Sequence, residues 1–163
     1  MPSIKVMDVF CGAGGFSEGF RQAGYEIVAG VDYDEEAIKT FGINHSGSAA
    51  IHADMSDQKA MKSILTRIPS DIDIMIGGPP CQGFSIAGKR LIDDPRNYLY
   101  KAYIELVREI APNIVVIENV PNLVRMAGGA VAAQIVSDMR DIGYFGGFQI
   151  FDSSLFGVPQ KRK

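Results

Sequence analysis

Short apolar runs alternate along this chain with amphipathic segments, punctuated mainly by glycine and proline. Ile4–Phe10 is apolar and β-branched, which predicts a strand broken by the glycines of Gly12–Gly15. Phe16–Ala23 has helical spacing, with Phe16 and Phe20 four apart, and Gly24 stops it. A second strand is predicted over Tyr25–Val31, ending at Asp32. A helix follows at Asp34–Phe41, its first turn holding Asp34, Glu35 and Glu36 where the helix dipole favours acids. Ala49–Ala53 predicts a short third strand, and Asp57–Arg67 an amphipathic helix closed by Pro69. Ile72–Ile76 is continuously apolar, as buried parallel strands are, and a long polar loop runs from Gly77 to about Asn97. Tyr98–Ile110 then reads as a helix, Asn113–Glu118 as a fifth strand, Ala130–Ile142 as a helix and Phe148–Phe151 as a sixth strand.

Repeated β-α units of this kind predict an α/β fold with a doubly wound, mostly parallel sheet and right-handed crossovers. With no internal repeat and no linker, residues 1–163 read as one domain. Ligands in such sheets bind at the carboxyl ends of the strands. The residues that stand out chemically follow strands: Phe10–Gly15, Asp32, Asp54, Gly77–Ser85 and Glu118.

Composition narrows the picture only a little. The 163 residues are 47% hydrophobic and 21% charged, as in an ordinary globular protein. No apolar run approaches the roughly 20 residues of a membrane span, so no membrane partner is expected. Met-Pro-Ser-Ile-Lys enters the first strand pattern at once, which predicts no signal or transit peptide and a cytoplasmic (or nucleoid-associated) location. A net charge of −3 argues against an electrostatic grip on nucleic acid by the whole domain. Basic residues gather locally at Lys89, Arg90, Arg96, Arg125 and Lys161-Arg162-Lys163, and read first as solvated surface. Two cysteines in a chain without a signal read as two thiols rather than a disulfide.

Three motifs carry chemistry. In Asp8-Val-Phe-Cys-Gly-Ala-Gly-Gly-Phe (8–16), glycines between strand and helix let the backbone approach a ligand closely. Asp32, at the end of the next strand, stands where an acid can bind both hydroxyls of a ribose. Together they point to a nucleoside-type cofactor without choosing among NAD, FAD and S-adenosylmethionine. The dinucleotide fingerprint needs a third glycine where Ser17 stands, which favours S-adenosylmethionine. In Gly77-Gly-Pro-Pro-Cys-Gln-Gly-Phe-Ser85, two prolines hold the chain extended and present Cys81 from a stiff loop, where a thiol can act as a nucleophile. Cys11, inside the glycine turn without polar company, reads instead as a small buried hydrophobe. Glu118-Asn119-Val120 ends the fifth strand with a carboxyl group that is costly there unless it is bound or functional. Strand five should neighbour strand four, so Glu118 and Cys81 are expected to face one crevice.

These stretches together resemble the cytosine-C5 DNA methyltransferase family, in family order over essentially the whole chain. Phe10-Cys-Gly-Ala-Gly-Gly, with Gly12, Gly14 and Gly15, is similar to its cofactor loop. Asp32-Tyr33 resembles its acid–aromatic pair, the acid for the ribose and the ring for the adenine face. Asp54, followed by Met55, matches the acid that hydrogen-bonds the adenine amino group. Pro79-Pro80-Cys81-Gln82 is similar to the nucleophile signature, and Glu118-Asn119-Val120 to the glutamate motif. Arg96-x-x-Leu99 fits the helix start that backs the cofactor, and Gln160-x-Arg162 the opening of the Gln-x-Arg-x-Arg motif near the target base. The resemblance thus implies a methyltransferase fold of Rossmann-like type. It implies a catalytic set of Cys81, Glu118, Gln160, Arg162 and Pro80. It implies a cofactor set of Phe10, Gly12, Gly14, Gly15, Asp32, Tyr33, Asp54, Met55, Pro79 and Leu99, with S-adenosylmethionine as cofactor and no metal.

It also implies the reaction. Thiolate attack by Cys81 on C6 of a flipped-out cytosine activates C5 for methylation, and duplex DNA is the implied partner. The sequence departs from the family pattern at Lys163, inside the Gln-x-Arg-x-Arg motif, ahead of the target-recognition domain and the last motifs. Strand five is then expected to be an exposed apolar edge. Three readings fit: a truncated piece, one subunit of a split enzyme whose second chain supplies the recognition half, or a module that binds cofactor without methylating. A transfer RNA methyltransferase is the alternative on substrate, and a dinucleotide-dependent oxidoreductase the alternative on class. The latter leaves Cys81, Glu118 and Gln160-x-Arg162 as coincidences.

Overall fold

A computed structural model describes residues 3–80 and 98–162. The described residues divide into two compact units, residues 3–80 with 98–118, and residues 119–162. The first is a five-stranded sheet built from β1 (Lys5–Val9), β2 (Glu26–Asp32), β3 (Ala49–His52), β4 (Ile74–Gly77) and β5 (Ile114–Ile117). Every pairing is parallel, and the strand order is β3-β2-β1-β4-β5. The helices between the strands are α1 (Gly15–Gln22), α2 (Glu35–Asn44), α3 (Gln58–Leu65) and α4 (Tyr98–Ile110). This is the doubly wound parallel sheet that the alternation predicts. The chain runs outward from β1 to β3, then returns to place β4 on the other side of β1, so the topological switch point lies between β1 and β4.

The register brings the strand ends into line. Val9 pairs with Val31 and Gly77, Asp32 with His52, and Gly77 with Ile117. The turns after all five strands therefore leave from one edge. The core beneath them is assembled from residues that each strand and helix directs inward, among them Val6, Ile27, Ile38, Phe41, Ile74 and Ile76. Phe41 and Tyr103 are fully buried, and each contributes roughly 2–3 kcal/mol of hydrophobic stabilisation. Two glycines make room for them. A Cβ on Gly30 would lie 2.3 Å from the Phe41 ring, and one on Gly77 would lie 2.8 Å from the Tyr103 ring.

Local chemistry explains the helix boundaries. Asp34 caps α2 by accepting from the backbone N–H groups of Glu36 and Ala37, at 2.9 and 3.0 Å. Asp57 caps α3 in the same way through Lys59. α1 is stapled by Phe16 and Phe20, whose rings meet edge-to-face at 5.6 Å, and ends where Gly24 takes a left-handed φ of +90°. No helix of the described residues is long and apolar enough to cross a membrane.

In the second unit, an irregular 3-10 stretch over Pro121–Gly129 leads into α5 (Ala130–Asp141), and a 3-10 turn forms at Ser153–Phe156. The stretch is broken at Met126, Ala127 and Gly128, whose backbone angles are non-helical. The sixth strand expected at Phe148–Phe151 is not formed. A strand exists through its ladder, and among the described residues none meets this segment, so β-propensity alone does not order it into one. Phe148, Ile150 and Phe151 are exposed. β5 is the outer strand of the sheet among the described residues, as expected, and Ile114 is 52% exposed there.

Candidate active site at the carboxyl edge of the sheet

The site begins where β1 leaves the sheet. Phe10 takes a left-handed φ of +62°, a conformation a bulky residue holds only when its surroundings over-determine it. Its ring lies 6.4 Å from that of Tyr103 on α4. Gly12 and Gly14 follow at φ +52° and +91°, which explains why two glycines are needed in the turn. Around the Cβ direction of Gly12 and of Gly15 there is no atom within 4 Å. The turn thus presents bare backbone beside open space.

Asp32 holds this turn from β2. One carboxylate oxygen accepts the Gly12 N–H at 2.8 Å and the other accepts the Asp34 N–H at 2.9 Å. Asp32 is 9% exposed, and each oxygen keeps a second lone pair for a further donor. Tyr33 follows with its side chain 70% exposed, and its carbonyl bonds His52 Nε2 at 2.8 Å. Asp54, after β3, is exposed, and the Ser56 N–H at 2.8 Å holds its carboxyl below the usual carboxylate range. It stands ionised at neutral pH as a pure acceptor. Met55 is buried and, with Tyr98 and Ala102, lines a groove of about 380 Å³. Leu99, in the first turn of α4, is half-buried.

The other side of the switch point carries Gly78, Pro79 and Pro80 after β4. Glu118 leaves β5 beside them, its N–H donating to the Gly77 carbonyl at 2.9 Å. Its Oε2 lies 3.3 Å from where a Cβ on Gly78 would be. The carboxylate therefore stands over Gly78, just ahead of Pro79 and Pro80. Cys81, Gln82 and Arg96 lie outside the described residues. Gln160 and Arg162 belong to the second unit, where Ser153 ties their backbone: its hydroxyl donates to the Gln160 carbonyl at 2.7 Å and its N–H to the Arg162 carbonyl at 2.8 Å.

Cys11 sits where a structural thiol would. It is 6% exposed, and burial, with the Asp8 and Asp32 carboxylates nearby, pushes its thiol far above the ordinary range. Such a group is no nucleophile. Four further residues escaped the reading of the sequence. Asp8, 1% exposed inside β1, accepts a 2.7 Å hydrogen bond from the Ser17 hydroxyl of α1. Burial pushes its carboxyl up to about 7, against the pull of Ser17 and with a smaller push from Asp32. The signal was there, since Asp8 interrupts the apolar run Val-Met-Asp-Val. Asn44 and His45, at the far end of α2, reach back to the glycine turn at Ala13 and Gly14. No local pattern announces a contact so distant in sequence.

The model of the C-5 cytosine-specific DNA methylases matches residues 4–163. The chain belongs to this family. Over 98% of its length it is 41% identical to the type II methyltransferase M.AgeI of Thalassovita gelatinovora, of which it spans 38%. It is 32% identical over 98% of its length to M.AquIA of Picosynechococcus, of which it spans 68%. The fold resembles that of the Dnmt2 methyltransferase of S. pombe, with a TM-score of 0.69 over 98% of this chain and 48% of that one, at 23% identity. The glycine turn, Asp32 and Glu118 of this C-5 cytosine methylase chain thus belong to a methyltransferase sheet.

Proposed function

We propose that this chain is the cofactor-binding and catalytic region of a DNA (cytosine-5-)-methyltransferase that uses S-adenosylmethionine, with Cys81 as its nucleophile. The observation that carries the reading is Glu118, whose carboxylate overhangs Gly78 three residues before Cys81. The residues at the other strand ends fit the cofactor. Gly12 and Gly15 leave open backbone, Asp32 keeps free lone pairs for ribose hydroxyls, Tyr33 offers an exposed ring, and ionised Asp54 accepts from an amino group. Phe10, Gly14, Met55, Pro79 and Leu99 complete the walls.

When bound, S-adenosylmethionine supplies an electrophilic methyl group. This chain's own part is to make C5 of cytosine a nucleophile. The Cys81 thiolate bonds to C6, and the displaced π electrons move through C5 toward N3. Glu118 holds a proton at N3 and so neutralises the charge that develops on the ring. Once C5 carries the methyl group, loss of its proton re-forms the C5–C6 double bond and expels the Cys81 sulfur. Pro80 stiffens the nucleophile loop, and Gln160 and Arg162 act on the base or its phosphate. C6 is out of reach inside a duplex, so the base is flipped out.

The chain spans 38% of M.AgeI, and we assign target recognition and the last cofactor motifs to further polypeptide, whether continuous with this chain or a second chain. The edge position of β5 and the exposed Phe148, Phe151 and Phe156 support that completion. DNA as substrate implies a cytoplasmic, nucleoid-associated setting. The test is tritiated methyl transfer by the completed enzyme to duplex DNA and to transfer RNA. Cys81→Ser should abolish transfer to DNA and leave S-adenosylmethionine binding intact. Unchanged transfer by that variant, or transfer to transfer RNA alone, overturns the proposal.

A further inference from the structure

α2 is fastened to the glycine turn at both of its ends. At its start, Asp32 accepts from Gly12 with one oxygen and from Asp34, the α2 cap, with the other, at 2.8 and 2.9 Å. At its finish, Asn44 Nδ2 donates to the Ala13 carbonyl at 2.9 Å, and His45 Nε2 lies 3.1 Å from the Gly14 carbonyl. A carbonyl only accepts, so Nε2 carries the proton in that bond. The Gly14 carbonyl also takes the first bond of α1, from the Glu18 N–H at 2.8 Å.

His45 is an odd choice for packing alone. It is 4% exposed, lies against Phe41 with ring centroids 4.8 Å apart, and leaves Nδ1 buried without a partner among the described residues. A buried polar atom with no partner is costly, and an apolar side chain of similar size would avoid that cost. What the imidazole alone supplies is the hydrogen bond to Gly14. The fit is close, since a Cβ on Gly14 would stand 2.4 Å from Nε2.

We infer that His45 and Asn44 are positioning residues for the cofactor, fixing the carbonyls of Ala13 and Gly14 so that the turn keeps its open face at Gly12 and Gly15. This rests on the reading of the turn as an S-adenosylmethionine site. Neither side chain needs to touch the cofactor. Their effect is on binding, because a loosened turn must be ordered again each time the ligand enters.

The test compares wild type with His45→Leu, His45→Gln and Asn44→Ala. The measurements, all on the completed enzyme, are S-adenosylmethionine affinity by calorimetry, amide hydrogen exchange at 12–15 without ligand, and KM against kcat. His45→Leu should remain folded, exchange faster at the turn and bind about three- to tenfold more weakly, the net worth of one hydrogen bond. KM for S-adenosylmethionine should rise with kcat unchanged. His45→Gln, which keeps a donor at the same reach, should recover most of the affinity. Asn44→Ala, at an exposed position, should fold and lose about threefold. Wild-type affinity in Asn44→Ala, or in a folded His45→Leu, overturns the inference. A completed wild-type enzyme that binds no S-adenosylmethionine overturns the underlying cofactor reading instead.

Discussion

Replacing Gly14 by alanine and Gly12 by alanine should have very different consequences, although both glycines hold positive φ in one turn. The shared cost is that of placing a Cβ in the left-handed region, about 1–2 kcal/mol. At Gly12, φ is +52° and nothing lies within 4 Å of the new methyl group, so the cost ends there. At Gly14, φ is +91° and the methyl group would stand 2.4 Å from His45 Nε2, 2.6 Å from His45 Cδ2 and 3.0 Å from Phe41 Cδ2. Neither ring has anywhere to go, because Phe41 is fully buried and itself pressed against Gly30. Overpacking a site of this kind costs about 1–3 kcal/mol. Pushing His45 away also strands a second buried imidazole nitrogen, for about another 1–3 kcal/mol.

The expected difference between the two variants is therefore about 2–6 kcal/mol, with Gly14→Ala the less stable. Against a total stability of about 5–15 kcal/mol, that is enough to threaten folding at Gly14 but not at Gly12. Urea denaturation followed by circular dichroism measures it. With a slope of roughly 2 kcal/mol per molar, the two midpoints should lie about 1–3 M apart. Equal midpoints would refute the packing argument, and with it the claim that His45 is wedged under the turn. The combination Gly14→Ala with His45→Ala should recover part of the loss, since it removes the atoms that the methyl group meets.

Asp8→Asn should change how stability depends on pH. The folded Asp8 carboxyl is pushed up to about 7 from an ordinary 3.8, so between these values the folded state holds a proton that the unfolded state has released. Its contribution is present in full below about pH 4 and is lost as pH rises to 7, a fall on the order of 4 kcal/mol that the asparagine variant should lack. Parallel pH–stability curves for the two proteins would count against a buried, protonated Asp8. Asp34→Ala removes a cap that accepts from two backbone N–H groups, and should cost about 1 kcal/mol by thermal melting. Asp32→Asn sets an amide N–H against the N–H of Gly12 or Asp34. It should cost about 1–3 kcal/mol and weaken S-adenosylmethionine binding; stability and affinity both at the wild-type level would refute that role.

Every element within the sheet was legible because its signal is local. Val6, Val9, Ile27 and Val31 mark their strands by apolar runs, and Asp34 and Asp57 mark helix starts by their side-chain chemistry. Strand ends could likewise be read from the sequence, and Asp32, Asp54 and Glu118 stand at or just past them. What the sequence could not supply was pairing at a distance. Phe148–Phe151 has the composition of a strand, yet a strand needs a ladder as well as a propensity. Asn44 and His45 look like an ordinary helix end until the fold brings them back to Ala13 and Gly14. Asp32 could be read in the sequence as an acid at a strand end, but not as the acceptor of two backbone N–H groups.

That double duty decides which residues can separate folding from catalysis. Asp32 is fixed by bonds of the fold itself, so any substitution there changes the turn as well as its ligand chemistry. Tyr33 and Asp54 differ: both side chains are exposed at the same sheet edge, and Asp54's carboxylate accepts from Ser56 within its own turn. Substituting these two changes what the edge offers a ligand while leaving the ladder and the core in place. Glu118 belongs with them. Its backbone N–H completes the pairing with Gly77, but its carboxylate reaches over Gly78 beyond the last ladder bond. The chemistry of this edge is thus carried by side chains just past the strands, on a backbone that the strands hold still.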